Sequence, residues 1–341
     1  MKKFLLPEKG QFYKANLHCH STFSDGRLTP EQIKEIYKER GYSIVAFTDH
    51  DILIAHPELA DEDFLPLNGY EMEVNEKERG AKGYQKTCHM CLIALEPDNL
   101  TQVCWHREKY LFGNSPSHKS EVRYDDSEPD YEREYTNERI SDMMKRGRDN
   151  GYFVTYNHPA WSLEDYTDYI GYDNMHAMEI CNFGCFNEGY PDYNPRVYDD
   201  MLRAGKRVYC ISTDDNHNVY PKGSPRFDSF GGFTMIKADR LEYRAITKAL
   251  EKGDFYASQG PEIKELRFED GEIHIECSPA RRIDFSFGTR RGFPVISDGV
   301  TPVASASCRI PEDCIYVRVT VTDFEGRHAN TNAYFADELY G

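Results

Sequence analysis

The chain has 341 residues, of which 39% are hydrophobic and 29% are charged, and its formal net charge is -17. This length allows one large domain with a small one, or two domains of ordinary size, with enough apolar side chains for a sizeable core. The negative charge argues against an extended surface that binds nucleic acid through its phosphates, although bound cations would still admit a small nucleotide. Because no apolar run approaches the roughly 18 residues of a membrane span, we expect no membrane partner.

The ten cysteines show no spacing typical of a disulfide framework. The apolar stretch after the basic first residues is too short for a secretory signal. We therefore expect reduced thiols and a cytoplasmic location. Cys88 and Cys91 form a CxxC pair, but residues three apart in a strand point to opposite faces, so we expect two buried side chains rather than zinc ligands.

In chain order, the first chemical feature is the pair His18 and His20. Side chains two positions apart in a β-strand lie on the same face, so both imidazoles are available to one divalent metal. A half-buried strand with two core histidines explains this pair alone equally well. Ligands elsewhere in the chain must decide between the two interpretations.

A helix is predicted next, with Thr29 as N-cap and Pro30 at its first position, and Gly41 ends it. The apolar strand 43–48 then runs into His50. This alternation of strand, helix and strand predicts a parallel α/β architecture. In such folds functional residues gather where strands end, which is the position of His50.

The alternation continues to about residue 260. The further strands expected are 64–73, 87–95, 152–156, 177–181, 207–212 and 233–236, and the further helices include 137–150 and 241–251. Seven strand-like segments predict a (β/α) barrel over residues 1–260. Residues 97–138 interrupt the alternation, either as an insertion that caps a site or as a solvated flap.

The remaining chain changes character. Short alternating strands are separated by turns, and Asp270–Gly271 between two such runs predicts a hairpin. The valines that alternate along 317–321 share one face. We expect residues 261–341 to form a small all-β domain, similar to a sandwich.

Histidines and carboxylates suited to a metal recur along the chain, nearly all at predicted strand ends: His18, His20, Asp25, His50, Glu71, His89, His158, Asp215 and His217. Mixed His and carboxylate ligands without thiolate are typical of catalytic zinc, manganese or iron, whereas structural zinc usually has four Cys-rich ligands. Each residue has an ordinary alternative, such as Asp25 in a Ser-Asp-Gly turn. Because coincidence at so many strand ends is improbable, the joint pattern predicts a metal site.

These motifs, in this order, resemble the PHP (polymerase and histidinol phosphatase) superfamily. The resemblance covers about residues 12–260 and rests on His18-Cys19-His20-Ser21 with Asp25-Gly26, Thr48-Asp49-His50, Gly69-Tyr70-Glu71, His89, Asn157-His158-Pro159 and Asp215-Asn216-His217. It implies a distorted seven-stranded (β/α) barrel, two or three divalent ions of zinc, manganese or iron, and phosphoester hydrolysis. Residues 255–261 also resemble the end of larger members that carry a β-domain.

The resemblance further implies how the ligands are shared. One metal would be held by His18, His20, Glu71 and Asp215, a second by Glu71, His89 and His158, and a third by Asp25, His50 and His217. Catalysis would involve Asp25, His50, Glu71 and His217. Glu73 and Asp214 compete with their neighbours, but Glu71 follows a Gly-x pair and Asp215 has the Asp-x-His spacing of the family.

The expected function is therefore a metal-dependent phosphoesterase that uses a metal-bound hydroxide on a phosphate ester of a small molecule or nucleotide. Arg27 and Arg196 are candidate contacts to the substrate phosphate, and Glu179 and Asn182 are candidates to face the cavity. Three alternatives are an oligonucleotide exonuclease of the same fold, a metal-dependent amidohydrolase and a non-catalytic, metal-stabilised binding module. The amidohydrolase is disfavoured because such sites usually have a bridging lysine, and no lysine stands near a predicted ligand strand end.

Overall fold

The computed structural model describes residues 2–76 and 86–340 of the chain. It has a mixed α/β fold with one large sheet and a strand-rich C-terminal region. The strands up to residue 260 are β1 (Lys2–Phe4), β2 (Gln11–Asn16), β3 (Ile44–Phe47), β4 (Leu65–Asn75), β5 (Thr87–Ala94), β6 (Thr101–Gln102), β7 (Arg123–Tyr124), β8 (Tyr152–Tyr156), β9 (Ala177–Asn182), β10 (Tyr209–Thr213), β11 (Phe233–Ala238) and β12 (Phe255–Ser258). The later strands are β13 (Ile263–Glu269), β14 (Glu272–Ala280), β15 (Arg282–Ser286), β16 (Gly292–Ile296), β17 (Val303–Arg309), β18 (Tyr316–Thr322), β19 (His328–Thr331) and β20 (Tyr334–Phe335).

The helices are short, and the first begins as predicted. The α-helices are α1 (Pro30–Lys38), α2 (Ser115–His118), α3 (Asn137–Asp149), α4 (Tyr166–Tyr169), α5 (Pro195–Arg203), α6 (Tyr243–Lys252) and α7 (Ala336–Tyr340), and 3₁₀ helices span Pro57–Leu59, Lys119–Glu121 and Phe183–Glu188. At the start of α1 the Gln32 N–H donates to Thr29 Oγ1 at 3.4 Å, and the Gln32 side chain accepts from the Thr29 N–H at 3.0 Å. This reciprocal cap, followed by Pro30, confirms the predicted helix start.

The large sheet has the strand order β10-β9-β8-β5-β4-β3-β2-β11-β12-β19-β18-β15-β16, and β20 pairs with β18. Strands β2, β3 and β4 are parallel, as are β8, β9 and β10. The prediction of a parallel sheet is wrong at β5, which is antiparallel to both neighbours, and at β11, which is antiparallel to β2. Between Asn75 and Thr87 there are too few residues for the dozen or more that a parallel crossover needs.

A closed seven-stranded barrel is not confirmed. At the ends of the barrel-like part of the sheet, β10 and β11 approach each other through Ser212 and Thr234. The Thr234 hydroxyl accepts from the Ser212 N–H at 3.2 Å and donates to the Ser212 carbonyl at 3.0 Å. Because these bonds run through a side chain, they do not amount to a backbone ladder.

The C-terminal region contains the predicted hairpin. Asp270 and Gly271 connect β13 to β14 with φ angles of 49° and 83°, and glycine adopts such a positive angle without steric cost. Leu266, Phe285 and Val319 lie in one buried apolar cluster shared by the two sheets of this region. The region also continues the large sheet, because β12 pairs with β19, while β1 pairs with β13. A domain boundary at residue 260 therefore stays a prediction.

Two other expectations concern the chain as a whole. No helix in the described ranges is both long and apolar enough to cross a bilayer. All ten cysteines are free, and Cys88 and Cys91 are buried in β5, as expected.

Residues 97–138 contribute β6, α2 and β7, and they lie against the loops that follow β2 and β3. The loops at this edge of the sheet carry the candidate ligands.

Candidate metal centre

The opening histidines lie in an extended segment directly after β2. Cys19 forms a parallel bridge with Asn216, and the His20 N–H donates to the Asn216 carbonyl at 3.1 Å. The imidazoles of His18 and His20 are both fully buried, and their Nε2 atoms are 3.1 Å apart. The structure thus brings both rings to one point.

Asp25 lies in the next loop, which a carboxylate from a neighbouring strand end holds in shape. The buried Asp49 accepts hydrogen bonds from the N–H groups of Ser21 and Ser24 at 2.8 and 3.1 Å, and from their hydroxyls at 2.8 and 2.6 Å. In this loop Asp25 Oδ1 lies 3.6 Å from His20 Nδ1. Asp49 therefore positions the loop without itself facing the other ligands.

Glu71 is the central carboxylate. It is 1% exposed and lies in β4, where a parallel bridge joins it to His50, three residues after the end of β3. Its Oε1 lies 3.2 Å from both His18 Nε2 and His89 Nδ1. Its Oε2 lies 3.4 Å from His50 Nδ1, and Asn157 Nδ2 donates to Oε1 at 2.8 Å. One carboxylate therefore meets histidines from three segments.

Two further histidines approach Glu71 from β5 and β8. His89 lies opposite Glu73 of β4, and its Nε2 is 3.4 Å from Glu73 Oε2. His158 follows β8 with a φ of 26°, and its Nδ1 is 3.1 Å from Ser162 Oγ. The Nε2 atom of His158 is 3.4 Å from Glu71 Oε1. Both imidazoles thus border the central carboxylate.

The last two ligand candidates follow β10. Asp215 adopts a φ of 51°, and its Oδ1 lies 3.1 Å from the Nε2 atoms of both His18 and His20. The Nε2 atom of His217 lies 3.3 Å from Asp25 Oδ2. Residues that follow β2 and residues that follow β10, about 200 positions apart in the chain, therefore belong to the same cluster.

The candidate ligand atoms form three overlapping sets, and the atoms of each set all lie within 4.8 Å of one another. The first set is His18, His20, Glu71 and Asp215, the second is His50, Glu71 and His89, and the third is His20, Asp25, His50 and His217. The first set has the membership implied by the family resemblance. The second contains His50 in place of His158, and the third contains His20 in addition to the expected three. With Zn–N bonds of about 2.0–2.1 Å, neighbouring ligand atoms around one ion lie roughly 3.0–3.4 Å apart, which matches the 3.1 Å separations in the first set.

Unsatisfied buried atoms show that the cluster suits cations. In the described part of the chain, Nδ1 of His20, Nδ1 of His50 and Oδ1 of Asp215 are buried, and none of their close contacts has the geometry of a hydrogen bond. Burial of polar atoms without partners costs free energy, and ligation of a metal ion would remove that cost. The residues present therefore fit divalent ions.

The charges of the cluster lead to the same conclusion. Burial alone would lower the pKa values of His18 and His20, but the carboxylates of Asp215 and Glu71 outweigh it and raise both. Burial, helped by His20, lowers the pKa of His50 to about 4, so this imidazole is neutral at pH 7 and has a lone pair to offer. The neighbouring histidines overcome burial and hold the pKa of Glu71 well below its usual range. The carboxylates therefore stay ionised and attract positive charge.

Glu179 lies behind His18. It is fully buried, and its Oε1 accepts from His18 Nδ1 and from Thr213 Oγ1, both at 2.7 Å. Its Oε2 accepts from the His158 N–H at 2.9 Å. A carboxylate on Nδ1 fixes the proton there and leaves Nε2 free for a metal, so Glu179 would orient His18 as a ligand.

The other candidate substrate contacts occupy different positions. Asn182 is buried and donates to Asp215 Oδ2 at 3.0 Å. Arg27 is exposed and lines the cavity above the cluster. The structure does not bring Arg196 to that cavity, because its side chain is 81% exposed on α5 and pairs with Asp200 at 2.8 Å.

The two competing acidic residues have other partners. Glu73 is 27% exposed beside His89. The carboxylate of Asp214 accepts from the N–H groups of residues 230–232 at 2.8 to 2.9 Å and from the Tyr37 hydroxyl at 2.8 Å. Neither acid belongs to one of the three sets, so the geometry favours Glu71 and Asp215.

The cluster lines a cavity of about 540 Å³ whose walls include residues that the sequence did not single out. Phe112 of the insertion lies with its ring 5.6 Å from that of His50, and Trp161 lies with its ring 4.9 Å from that of His158. Arg226 also lines the cavity. These residues reach the site from loops far apart in the chain, so no local pattern identifies them.

Comparisons with known proteins bear on this site. A two-domain protein from Bacteroides vulgatus that contains a predicted PHP-like metal-dependent phosphoesterase is 16% identical, with 94% of each chain covered and a TM-score of 0.45. A candidate metal-dependent phosphoesterase from Bifidobacterium adolescentis is 16% identical over 66% of this chain and 92% of its own, with a TM-score of 0.38. An amidohydrolase from Chromobacterium violaceum, with bound sulfate and no metal, is 16% identical over 60% and 87% of the two chains, with a TM-score of 0.38.

These structural likenesses are too distant to assign an activity. No curated protein matches the chain significantly. The model of the PHP domain family, however, matches residues 16–258, which is more than half of the sequence. The chain therefore belongs to the PHP domain family.

Proposed function

We propose that the protein is a metal-dependent phosphoesterase that hydrolyses a phosphate ester of a small molecule or nucleotide. Two or three divalent ions of zinc, manganese or iron would occupy the three ligand sets. The observation that carries the proposal is the sharing of Glu71 by two sets. A shared carboxylate holds two ions close together, as in two-metal sites with ions about 3.5–4 Å apart. Such ions lower the pKa of water and neutralise charge on phosphoryl oxygens.

The chain itself supplies orientation and substrate binding. Asp25, His50, Glu71 and His217 all line the cavity, and we assign the catalytic surface to them. Arg27 reaches the same cavity from the loop beside Asp25. A guanidinium group matches two phosphate oxygens at once, so Arg27 suits an anionic substrate.

Two features weigh against the alternatives. Among the described residues that line the cavity there is no lysine, which disfavours an amidohydrolase with a bridging lysine. The net charge of -17 disfavours a long nucleic-acid substrate. Hydrolysis of a small phosphate ester fits both observations.

The test measures bound metal and activity together. Purified protein loaded with Mn²⁺ is offered a phosphomonoester, a phosphodiester and an amide, and we expect hydrolysis of a phosphoester. His18→Ala should lose metal and at least about 100-fold in activity, because it removes a ligand of the first set. His274→Ala, in β14 of the C-terminal region, is the matched control and should retain both.

The outcomes separate the hypotheses. A metal-loaded protein that is inert on every phosphoester, with unchanged metal content in His18→Ala, contradicts the proposal. Hydrolysis of the amide alone identifies an amidohydrolase, and release of nucleotides from oligonucleotide ends identifies an exonuclease. Substrate binding without turnover identifies a binding module.

A further inference from the structure

The insertion, residues 97–138, binds the backbone of the loops that carry two of the ligands. The Asn114 N–H donates to the Ser24 carbonyl at 2.7 Å, next to Asp25. Ser115 Oγ donates to the carbonyl of His50 itself at 2.8 Å. Both donors are fixed at the start of α2, so the insertion contacts the Asp25 loop and the His50 loop at the same time.

Arg133 provides the strongest of these contacts. Its Nη2 lies 2.5 Å from Asp51 Oδ1, and its Nη1 donates to the Glu73 carbonyl at 2.8 Å. The side chains of Arg133 and Asp51 are only 2% and 1% exposed, and the guanidinium also lies 4.3 Å from the ring centre of Tyr110. One buried arginine therefore joins the residue after His50 to the strand that carries the central carboxylate.

Gln102 also binds the segment that follows His50, at Asp51 and Leu53. It is 2% exposed, its Nε2 donates to the Asp51 carbonyl at 2.7 Å, and its Oε1 accepts from the Leu53 N–H at 3.0 Å. Asp51 itself has a φ of 59°, a conformation that is uncommon for residues with a side chain. A strained turn of this kind persists when its surroundings determine it, and here the insertion supplies part of those surroundings.

The first ligand set has different supports. His18 is held by Glu179, and Asp215 by Asn182, and both supporting residues lie in β9. The contacts of the insertion are concentrated instead on the loops of Asp25 and His50. His50 also belongs to the second set, where His158 Nε2 lies 3.4 Å from Glu71 Oε1 and can take its place. The two ends of the cluster are therefore positioned by separate parts of the chain.

We propose that residues 97–138 act as a clamp that completes the third ligand set by fixing the His50 loop against the Asp25 loop, with Arg133 as its main positioning residue. The inference rests on the proposed function in assuming that the sets bind divalent ions. It goes further, because it makes the binding of one of these ions depend on the insertion. Without the clamp, Asp49 still shapes the Asp25 loop, but the His50 loop loses its contacts with the insertion and shifts relative to Asp25, while the first set keeps its own supports.

The test is the number of Mn²⁺ ions bound per chain, measured after equilibrium dialysis against Mn²⁺ alone. We expect three ions in the wild type and two in Arg133→Met, because methionine keeps the packing against Tyr110 but removes the donors to Asp51 and Glu73. Asp51→Asn combined with Arg133→Met removes both charges and so avoids an unpaired buried carboxylate. It should also bind two ions.

Two further variants make the result interpretable. Arg107→Met is the control for the arginine variants. Arg107 pairs with Asp130 at 2.7 Å inside the insertion rather than with the Asp25 or His50 loop, so this variant should keep three ions. Ser115→Ala removes one hydrogen bond to the His50 carbonyl and should weaken binding of the last ion by roughly two- to tenfold. This mild change tests the clamp even where the arginine variants do not fold.

The clamp is overturned if the wild type binds only one or two ions. It is equally overturned if Ser115→Ala and whichever arginine variants fold bind Mn²⁺ as the wild type does. Failure of the proposed function gives a different result, in which the wild type binds no Mn²⁺ or hydrolyses no phosphoester. Three ions in the wild type with loss of one in Arg107→Met would show general loosening of the insertion rather than a clamp centred on Arg133.

Discussion

Glu179 is placed to determine which nitrogen of His18 faces the other candidate ligands. Because its Oε1 accepts from Nδ1 at 2.7 Å, Glu179→Gln should release the imidazole from that tautomer. We expect affinity for divalent metal to fall about 10–100-fold, as is typical of carboxylates behind a ligating histidine. Competition with a chelator measures this, and Glu312→Gln on the exposed surface is the control. An unchanged affinity in Glu179→Gln would remove the orienting role.

Glu164 allows a test of electrostatics away from the ligands. Its carboxylate accepts from the hydroxyls of Tyr135, Tyr156 and Tyr172 at 2.9, 2.5 and 2.5 Å. Burial outweighs these bonds and raises the pKa of Glu164 from 4.5 to about 7. A raised pKa means that the folded state binds the proton more tightly than the unfolded state. The corresponding stability is fully present below the unfolded pKa and is lost as pH rises through the folded one.

Glu164→Gln should remove this pH dependence. Between pH 5 and pH 8 we expect the wild type to lose up to roughly 3 kcal/mol more unfolding free energy than the variant. Urea unfolding of the metal-free proteins measures the difference, and Glu312→Gln should follow the wild type. Parallel curves for wild type and Glu164→Gln would show that this carboxyl does not titrate differently in the folded state.

The clustering of the candidate ligands was predictable at this scale because strand ends are visible in the sequence. His18 and His20 follow an apolar strand, and Asp215 and His217 repeat their spacing. The supporting contacts were not predictable, since they depend on packing between distant segments. Arg133 illustrates this, because its partners precede it by about 60 residues or more and no periodic pattern connects them.

At the scale of elements, the insertion forms one wall of the cavity through Phe112. This side chain is 52% exposed and belongs to a segment already fixed by neighbouring hydrogen bonds. Phe112→Ala should raise KM several-fold with little change in kcat or metal content, because it removes apolar contact with the substrate that contributes about 1 kcal/mol. Phe324→Ala removes a similarly exposed ring from the C-terminal region and is the control. Steady-state kinetics that leave KM unchanged would exclude Phe112 from substrate contact.

Element positions were more predictable than strand directions. The cap of α1 and the Asp270–Gly271 turn depend on local chemistry, and both were predicted. The directions of β5 and β11 were mispredicted, because alternating strands and helices were taken to imply crossovers throughout. The insertion packs against the loops of Asp25 and His50, and its role as a cap stays a prediction.

At the scale of the whole molecule, a buried ion pair connects α5 to the C-terminal sheet. Arg318 of β18 donates through Nε and Nη2 to the two carboxylate oxygens of Asp199, each at 2.8 Å, and its side chain is 5% exposed. Arg318→Met should lower the unfolding free energy by about 2–3 kcal/mol, because it leaves Asp199 largely buried without its partner. Urea unfolding measures this, with the exposed Arg309→Met as control.

The same unfolding curves address the organisation of the chain. We propose residues 261–341 as an accessory domain, but one that shares the β12–β19 ladder with the rest of the molecule. A single transition, shifted as a whole by Arg318→Met, is expected from this continuity. Two transitions, only one of them shifted, would show that the C-terminal region unfolds independently. The sequence indicated the change of character near residue 260, but not the long-range pairing across it.

The central claim is that the three ligand sets around Glu71 bind divalent ions. Anomalous diffraction from crystals grown with Mn²⁺ tests it most directly, because each ion appears as a peak at its own position. We predict a peak within bonding distance of each set, with two ions about 3.5–4 Å apart and bridged by Glu71. An absence of peaks among these residues, or ions bound only elsewhere, would contradict the claim.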